Sequence, residues 1–163
     1  MSAANQIRLT TLLALLVALA CCTLPAAFHK RWLNRVLLVF SAACVLYFTV
    51  FAKVPGSSRT YNLLLFWNYR RWSQVEVRHE IIQNMLLFMP LGASMRAVRA
   101  RYPVGIAAVT SAAVELCQYL FGLGLAELDD VVHNTLGAAL GVLVLWAAEH
   151  YVPLLREKLR KQK

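Results

Sequence analysis

Charge is what this sequence has least of. Only 15% of its 163 residues are Asp, Glu, Lys or Arg, and just eight are acidic. A soluble globular domain carries roughly 25% charged residues, and the 60% hydrophobic share here leaves too little polar surface for one. Cysteine is also uninformative. Cys21, Cys22, Cys44 and Cys117 all lie inside apolar stretches, with no Cys-x-x-Cys pair and no ligand-like spacing. They read as small core or lipid-facing residues, not as disulfides or a metal site. There is no nucleophile signature, no metal cluster and no visible inverted repeat, so no cofactor or metal is expected. What remains is an all-α, polytopic integral membrane protein.

Five stretches are apolar enough to span a bilayer as helices. They are Leu9–Phe28, Val36–Ala52, Ile81–Met95, Tyr102–Ala126 and Val131–Ala148. The third is bracketed by Glu80 and Arg96, and its 15 residues reach only about 22 Å. Its helix is expected to run past these charges or to thin the bilayer locally. Arg8 before the first run also fits a signal segment, and Ala18-Leu-Ala-Cys21 hints at a lipoprotein site. Cleavage would leave Lys30, Arg31 and Arg35 outside, against the positive-inside rule, so retention is expected.

The net charge of +9 orients the chain and meets anionic lipid headgroups; no nucleic-acid partner is expected. Lys30, Arg31 and Arg35 fill the first connection, and Arg96, Arg99 and Arg101 the third. Arg156, Lys158, Arg160, Lys161 and Lys163 fill the tail. The fourth connection has no basic residue and carries Glu127, Asp129 and Asp130. Basic loops and carboxy terminus are therefore expected in the cytoplasm, with the amino terminus and the acidic loop outside. The second connection, Pro55 to Glu80, is also placed outside. Its neighbourhood breaks the rule, with Lys53, Arg59, Arg70, Arg71 and Arg78. Phe66, Trp67, Tyr69 and Trp72 suit the headgroup level, so this loop reads either as an interfacial anchor or as a ligand lid, with Arg70 and Arg71 towards phosphates.

Glu115 stands alone as a charge within its span. A carboxylate at membrane depth costs at least about 2.5–3.5 kcal/mol on insertion scales, so it is a functional candidate by default. Helical spacing places Ser111, Glu115, Gln118 and Gly122 on one stripe. Asp130, Asn134, Gly137 and Gly141 form a second stripe, and Asn84, Phe88 and Gly92 a third. At about 1.5 Å per residue, Gln118, Glu115, Asn134 and Asn84 all lie within about 10 Å of the outer boundary. A polar pocket walled by spans three, four and five is the expectation, with Asp130 the partner of Glu115 and with Gln118 in hydrogen-bonding reach of it. The plainer reading treats Asn84, Gln118 and Asn134 as interhelical hydrogen-bonding groups worth about 0.6 kcal/mol each. Asp129 reads as an acid at a helix amino end, and His133 as packing or a site residue. Gly137 and Gly141 allow two helix backbones to approach closely. Pro90 is expected to kink the third span and leave irregular backbone between Asn84 and Gly92.

The runs Asn84-Met-Leu-Leu-Phe88-Met-Pro90-Leu-Gly92, Glu115-Leu-Cys-Gln118 and Asp129-Asp130-Val-Val-His-Asn134-Thr-Leu-Gly137-Ala-Ala-Leu-Gly141 together resemble the VanZ-like family. Asn62-Leu-Leu-Leu-Phe66 resembles its Asn-x-x-Pro-Phe motif, with Leu65 in place of proline. Gly124 stands where an arginine is usual, and Glu127 where Asp is. The resemblance implies a small protein of the bacterial cytoplasmic membrane, with some members linked to resistance against lipid-linked glycopeptides such as teicoplanin. It implies no established reaction. On this reading residues 36–152 form the family's membrane domain, 1–35 an additional helix with a basic loop, and 153–163 a basic tail.

Three functions compete. The first is binding of an outer-leaflet amphiphile, a lipid-linked wall precursor or amphiphilic drug, by Asn84, Glu115, Gln118, Asp130 and Asn134, with Arg59, Arg70 and Arg71 holding phosphate. The second is an intramembrane enzyme using Glu115 and Asp130 as acid and base. The third is a proton-coupled carrier centred on Glu115, small enough to require a homo-oligomer. Pro90, Gly92, Gly137 and Gly141 are assigned structural roles.

Overall fold

The computed structural model describes residues 3–28, 30–53, 56 and 59–161. Pro55 and Lys163 lie outside these ranges, as do the side chains of Arg156, Lys158 and Lys161. The described chain runs through α1 (Ala3–Phe28), α2 (Arg31–Leu46), a π-helical turn (Tyr47–Phe51), β1 (Thr60–Asn62), α3 (Trp67–Arg70), α4 (Val75–Ala97), α5 (Pro103–Phe121), β2 (Leu125–Glu127) and α6 (Leu128–Lys161). The architecture is all-α but for one short ladder. β1 and β2 pair in parallel, Thr60 to Leu125, Tyr61 to Ala126 and Asn62 to Glu127.

Four of the described helices are long and apolar enough to cross a membrane, over Thr10–Phe28, Arg31–Phe51, Pro103–Phe121 and Leu128–Leu154. The third expected span is α4, whose Glu76, Arg78, Glu80 and Arg96 lower its hydropathy. At 23 residues it measures about 34 Å, and it extends past Glu80 and Arg96, the first of the two expected alternatives. It is also the hub of the bundle, packed on α6, α1 and α2. The helix is continuous through Pro90, so the irregular backbone expected between Asn84 and Gly92 is not formed. Small adjustments within a packed membrane helix absorb a proline.

Lipid tails are as apolar as leucine, so close packing, not water exclusion, holds such helices together. Small residues make it possible. Ala18, Cys22 and Ala26, at four-residue spacing on α1, pack on Leu86, Met89 and Ala93 of α4 and on Leu145 of α6. On the other side of α4, Phe88, Leu91 and Met95 meet Val45 of α2, Ala107 and Val114 of α5, and Ala138 of α6. The α4–α6 contact is backbone on backbone. A Cβ on Gly137 or Gly141 would fall on the Met85 or Met89 carbonyl, and one on Gly92 on that of Ala138. Outward faces carry Leu12, Leu16, Val39, Phe51 and Val109, more than half exposed each, as a lipid-facing surface should.

The two ends of the bundle differ in chemistry. At one end the Asn34 amide donates to the Ala97 carbonyl (3.2 Å), and Arg96 pairs with Glu149 (2.8 Å). These contacts gather the basic first and third connections beside the carboxy-terminal half of α6. The opposite end holds the β-ladder, α3 and the acidic start of α6.

Candidate functional site

At that opposite end the chain ends α5 on Gly122, whose φ of 62° suits glycine. Three residues of β2 follow the turn, and α6 then begins with two acids. The short connection holds the last turns of α5 against the first turns of α6. Glu115, Gln118 and Asp130 are each more than nine-tenths buried there, and all three line one cavity of about 640 Å³. Asn84 lines it from α4. The volume falls within the range of small-molecule pockets, roughly 300–1,000 Å³.

Spans three, four and five are only part of its wall. Leu13 and Val17 of α1, and Phe40 of α2 with Phe48 of the π-turn, complete it. The helical stripes could locate polar groups but carried no signal for these apolar walls. The cavity is thus polar at one end and apolar along α1 and α2. Those helices touch each other only marginally, each packing on α4 instead. Leu13, Val17, Phe40 and Phe48 are each more than half exposed, so the cavity opens sideways onto the lipid-facing surface.

The polar contacts differ from those expected. Glu115 accepts the backbone N–H of Glu127 (3.0 Å), and Gln118 donates to the Thr49 carbonyl (3.1 Å). Glu115 and Gln118 are therefore not paired with each other, and Asp130 shares the cavity with Glu115 without bonding to it. The Thr49 carbonyl belongs to the π-turn, closed by the Ala52 N–H on the Tyr47 carbonyl (2.7 Å). Such turns recur at functional sites. Gln118 Oε1 and Asp130 Oδ1 are buried and receive no donor from the described residues.

Two charged residues were missed. Lys53, just past the π-turn, and Glu80, one turn before Asn84 on α4, both line the cavity. The Glu80–Asn84 spacing was a signal for the second, and the excess basic charge of the outer connection for the first. Lys53 acts electrostatically on Glu115 and Asp130 but closes no ion pair among the described residues. Its Nζ would lie 3.6 Å from a Cβ on Gly124. The cation of this site thus reaches the acidic loop from just past the π-turn.

Other candidates sit elsewhere. Asn134 donates to Ser111 Oγ (2.8 Å) in the α5–α6 contact and does not line the cavity. Arg59, Arg70 and Arg71 are outside the lining as well. Arg70 lies over the Trp67 ring at 5.6 Å. Arg71 donates to Asn68 (2.8 Å) and stands 3.9 Å from Glu127. Arg78 donates to the Trp72 carbonyl, so much of this connection's positive charge is engaged within the protein.

Asp129 does more than begin a helix. Its Oδ1 accepts the Phe66 N–H (2.6 Å) and its Oδ2 the Asn68 N–H (2.9 Å). Phe66 has φ 61°, a conformation costly for a bulky residue, and these bonds hold it. Glu127 accepts from Asn62 (3.4 Å) and Asn68 (3.3 Å). Buried His133 has Nε2 3.3 Å from the Tyr69 hydroxyl, and Tyr69 stacks on Trp72. The acidic connection therefore fastens the aromatic loop over the polar end of the bundle.

The VanZ/LLP1 family profile matches residues 36–149. The chain belongs to the VanZ/LLP1 family. It is also 26% identical, over 93 residues, to Protein VanZ of Enterococcus faecium. That match covers 50% of this chain and 58% of the relative, so the chain spans little more than half the length of the curated relative it matches. No solved structure matches it. The VanZ/LLP1 match begins at residue 36, so the cavity residues of α2, α4, α5 and α6 fall within it, whereas Leu13 and Val17 of α1 fall before it.

Proposed function

We propose that the protein binds an outer-leaflet amphiphile in this cavity and so alters susceptibility to lipid-linked glycopeptides. On this reading it lies in the bacterial cytoplasmic membrane, with the basic end and the carboxy terminus in the cytoplasm, as positive-inside bias requires. The polar end of the cavity then sits at the level of the outer headgroups.

One observation carries the reading: a single cavity joins a polar end to an apolar wall that opens onto lipid. A headgroup resting among Asn84, Glu115, Gln118 and Asp130 leaves its chain between α1 and α2, where it exchanges one apolar surface for another at little cost. A lipid-linked wall precursor and a lipoglycopeptide share this form. The three arginines of the outer loop lie outside the lining of the cavity, and Arg70 and Arg71 are engaged with Trp67, Asn68 and Glu127.

The test is teicoplanin susceptibility of cells making wild type, Glu115→Gln or Asp130→Asn at matched membrane levels. Loss of the wild-type effect in both variants is expected. An unchanged effect in both would sink the reading.

A further inference from the structure

The sign of charge in the cavity allows the head of the occupant to be specified. This step rests on the amphiphile reading above. Three carboxylates line the cavity, Glu80, Glu115 and Asp130, against one cation, Lys53. Side-chain amides supply the remaining polarity, from Gln83, Asn84 and Gln118. Burial separates the groups further. Glu80 is exposed, Lys53 and Asn84 are half-buried, and Glu115, Gln118 and Asp130 are the most buried.

Hydrogen-bonding capacity points the same way. Both unpartnered buried atoms on the lining residues, Gln118 Oε1 and Asp130 Oδ1, are acceptors. The Gln118 amide nitrogen is already used on Thr49, and one Glu115 oxygen on the Glu127 N–H. An unpaired buried acceptor is costly, and a donor offsets that cost. Neighbouring buried carboxylates raise each other's cost of ionising in a medium of low polarizability, and a cation between them offsets that cost. A phosphate brings mainly acceptors to a place whose buried, unpartnered atoms are already acceptors.

We propose that the head of the bound amphiphile is a cationic primary amine, its ammonium donating to Asp130 and Gln118 beside Glu115. Its chain leaves between α1 and α2, past Val17 and Phe40. Lys53 lies on the loop side of the head and opposes it, which keeps the interaction reversible.

The experiment uses the full chain in phosphatidylcholine nanodiscs with two probes of equal chain length, hexadecylammonium and hexadecyl phosphate, read as adducts by native mass spectrometry. Wild type is expected to retain the ammonium probe at least tenfold over the phosphate. Asp130→Asn with Glu115→Gln is expected to lower ammonium retention about tenfold. Lys53→Met, which leaves the buried network intact, is expected to raise it. Equal or greater retention of the phosphate, or loss of ammonium binding in Lys53→Met, overturns the assignment of the head while leaving the cavity as the binding site. Ammonium adducts that persist undiminished when Val17→Trp obstructs the apolar wall overturn both, as does retention of neither probe.

Discussion

Asp129 and Asp130 are neighbours in the chain with opposite tasks. Asp129 places both its oxygens on backbone N–H groups of Phe66 and Asn68, while Asp130 faces the cavity with Oδ1 unpartnered. Hydrogen bonds to a charged group contribute about 1.5–3 kcal/mol each. Asp129→Ala is therefore expected to lower the thermal midpoint markedly and to open residues 63–72 to limited proteolysis. Asp130→Asn is expected to leave both unchanged. Equal destabilisation by the two changes would contradict this division.

The α4–α6 contact rests on glycine. Adding a methyl at Gly137 or Gly141 drives it into a backbone carbonyl, and backbone cannot step aside as a side chain can. Overpacking of this kind costs about 1–3 kcal/mol. Gly105→Ala is the control, because its nearest neighbour would be the Tyr102 Cβ at 3.8 Å. Thermal unfolding in detergent should fall for Gly137→Ala and Gly141→Ala and hold or rise for Gly105→Ala.

The wall supplied by α1 makes a further claim. Val17 lines the cavity and Leu16 does not, although both are exposed apolar residues of one helix. Val17→Trp is expected to abolish the proposed effect on teicoplanin susceptibility at normal membrane levels, and Leu16→Trp to preserve it. Equal behaviour of the two variants would remove α1 from the site.

At the basic end, Arg96 and Glu149 pair at 2.8 Å with both side chains at least one-third exposed. Solvent screening reduces such a pair to about 0–1 kcal/mol. Glu149→Gln should shift the melting temperature only slightly, far less than Gly141→Ala. A shift of comparable size would mean that this end contributes more to the bundle than its exposure implies.

The sequence made Glu115, Gln118 and Asp130 legible as a group because helical periodicity and a fixed rise per residue translate directly into faces and depths. The same periodicity grouped Asn134 with Asp130 but could not say that Asn134 would meet Ser111 in the α5–α6 contact and stay out of the cavity. Lys53 and Thr49 were out of reach for another reason. Their positions depend on a π-turn, and one extra residue in a turn rotates everything after it. Arg71 was read towards phosphate because a charge in a loop has no periodicity; its partner Asn68 is a local contact on α3, and Glu127 is brought near only by the tertiary placement of β2. The apolar wall of α1 and α2 was hidden because a lining leucine and a lipid-facing leucine look alike in an apolar run.

Native mass spectrometry of the amphiphiles that leave the membrane with the protein tests the central claim most directly, with wild type compared against Asp130→Asn and Val17→Trp. One defined amphiphile retained by wild type and lost from both variants is the expected result, because one change alters the head site and the other obstructs the apolar wall along which the chain leaves. Bulk phospholipid alone in all three samples, in unchanged amounts, would contradict the account.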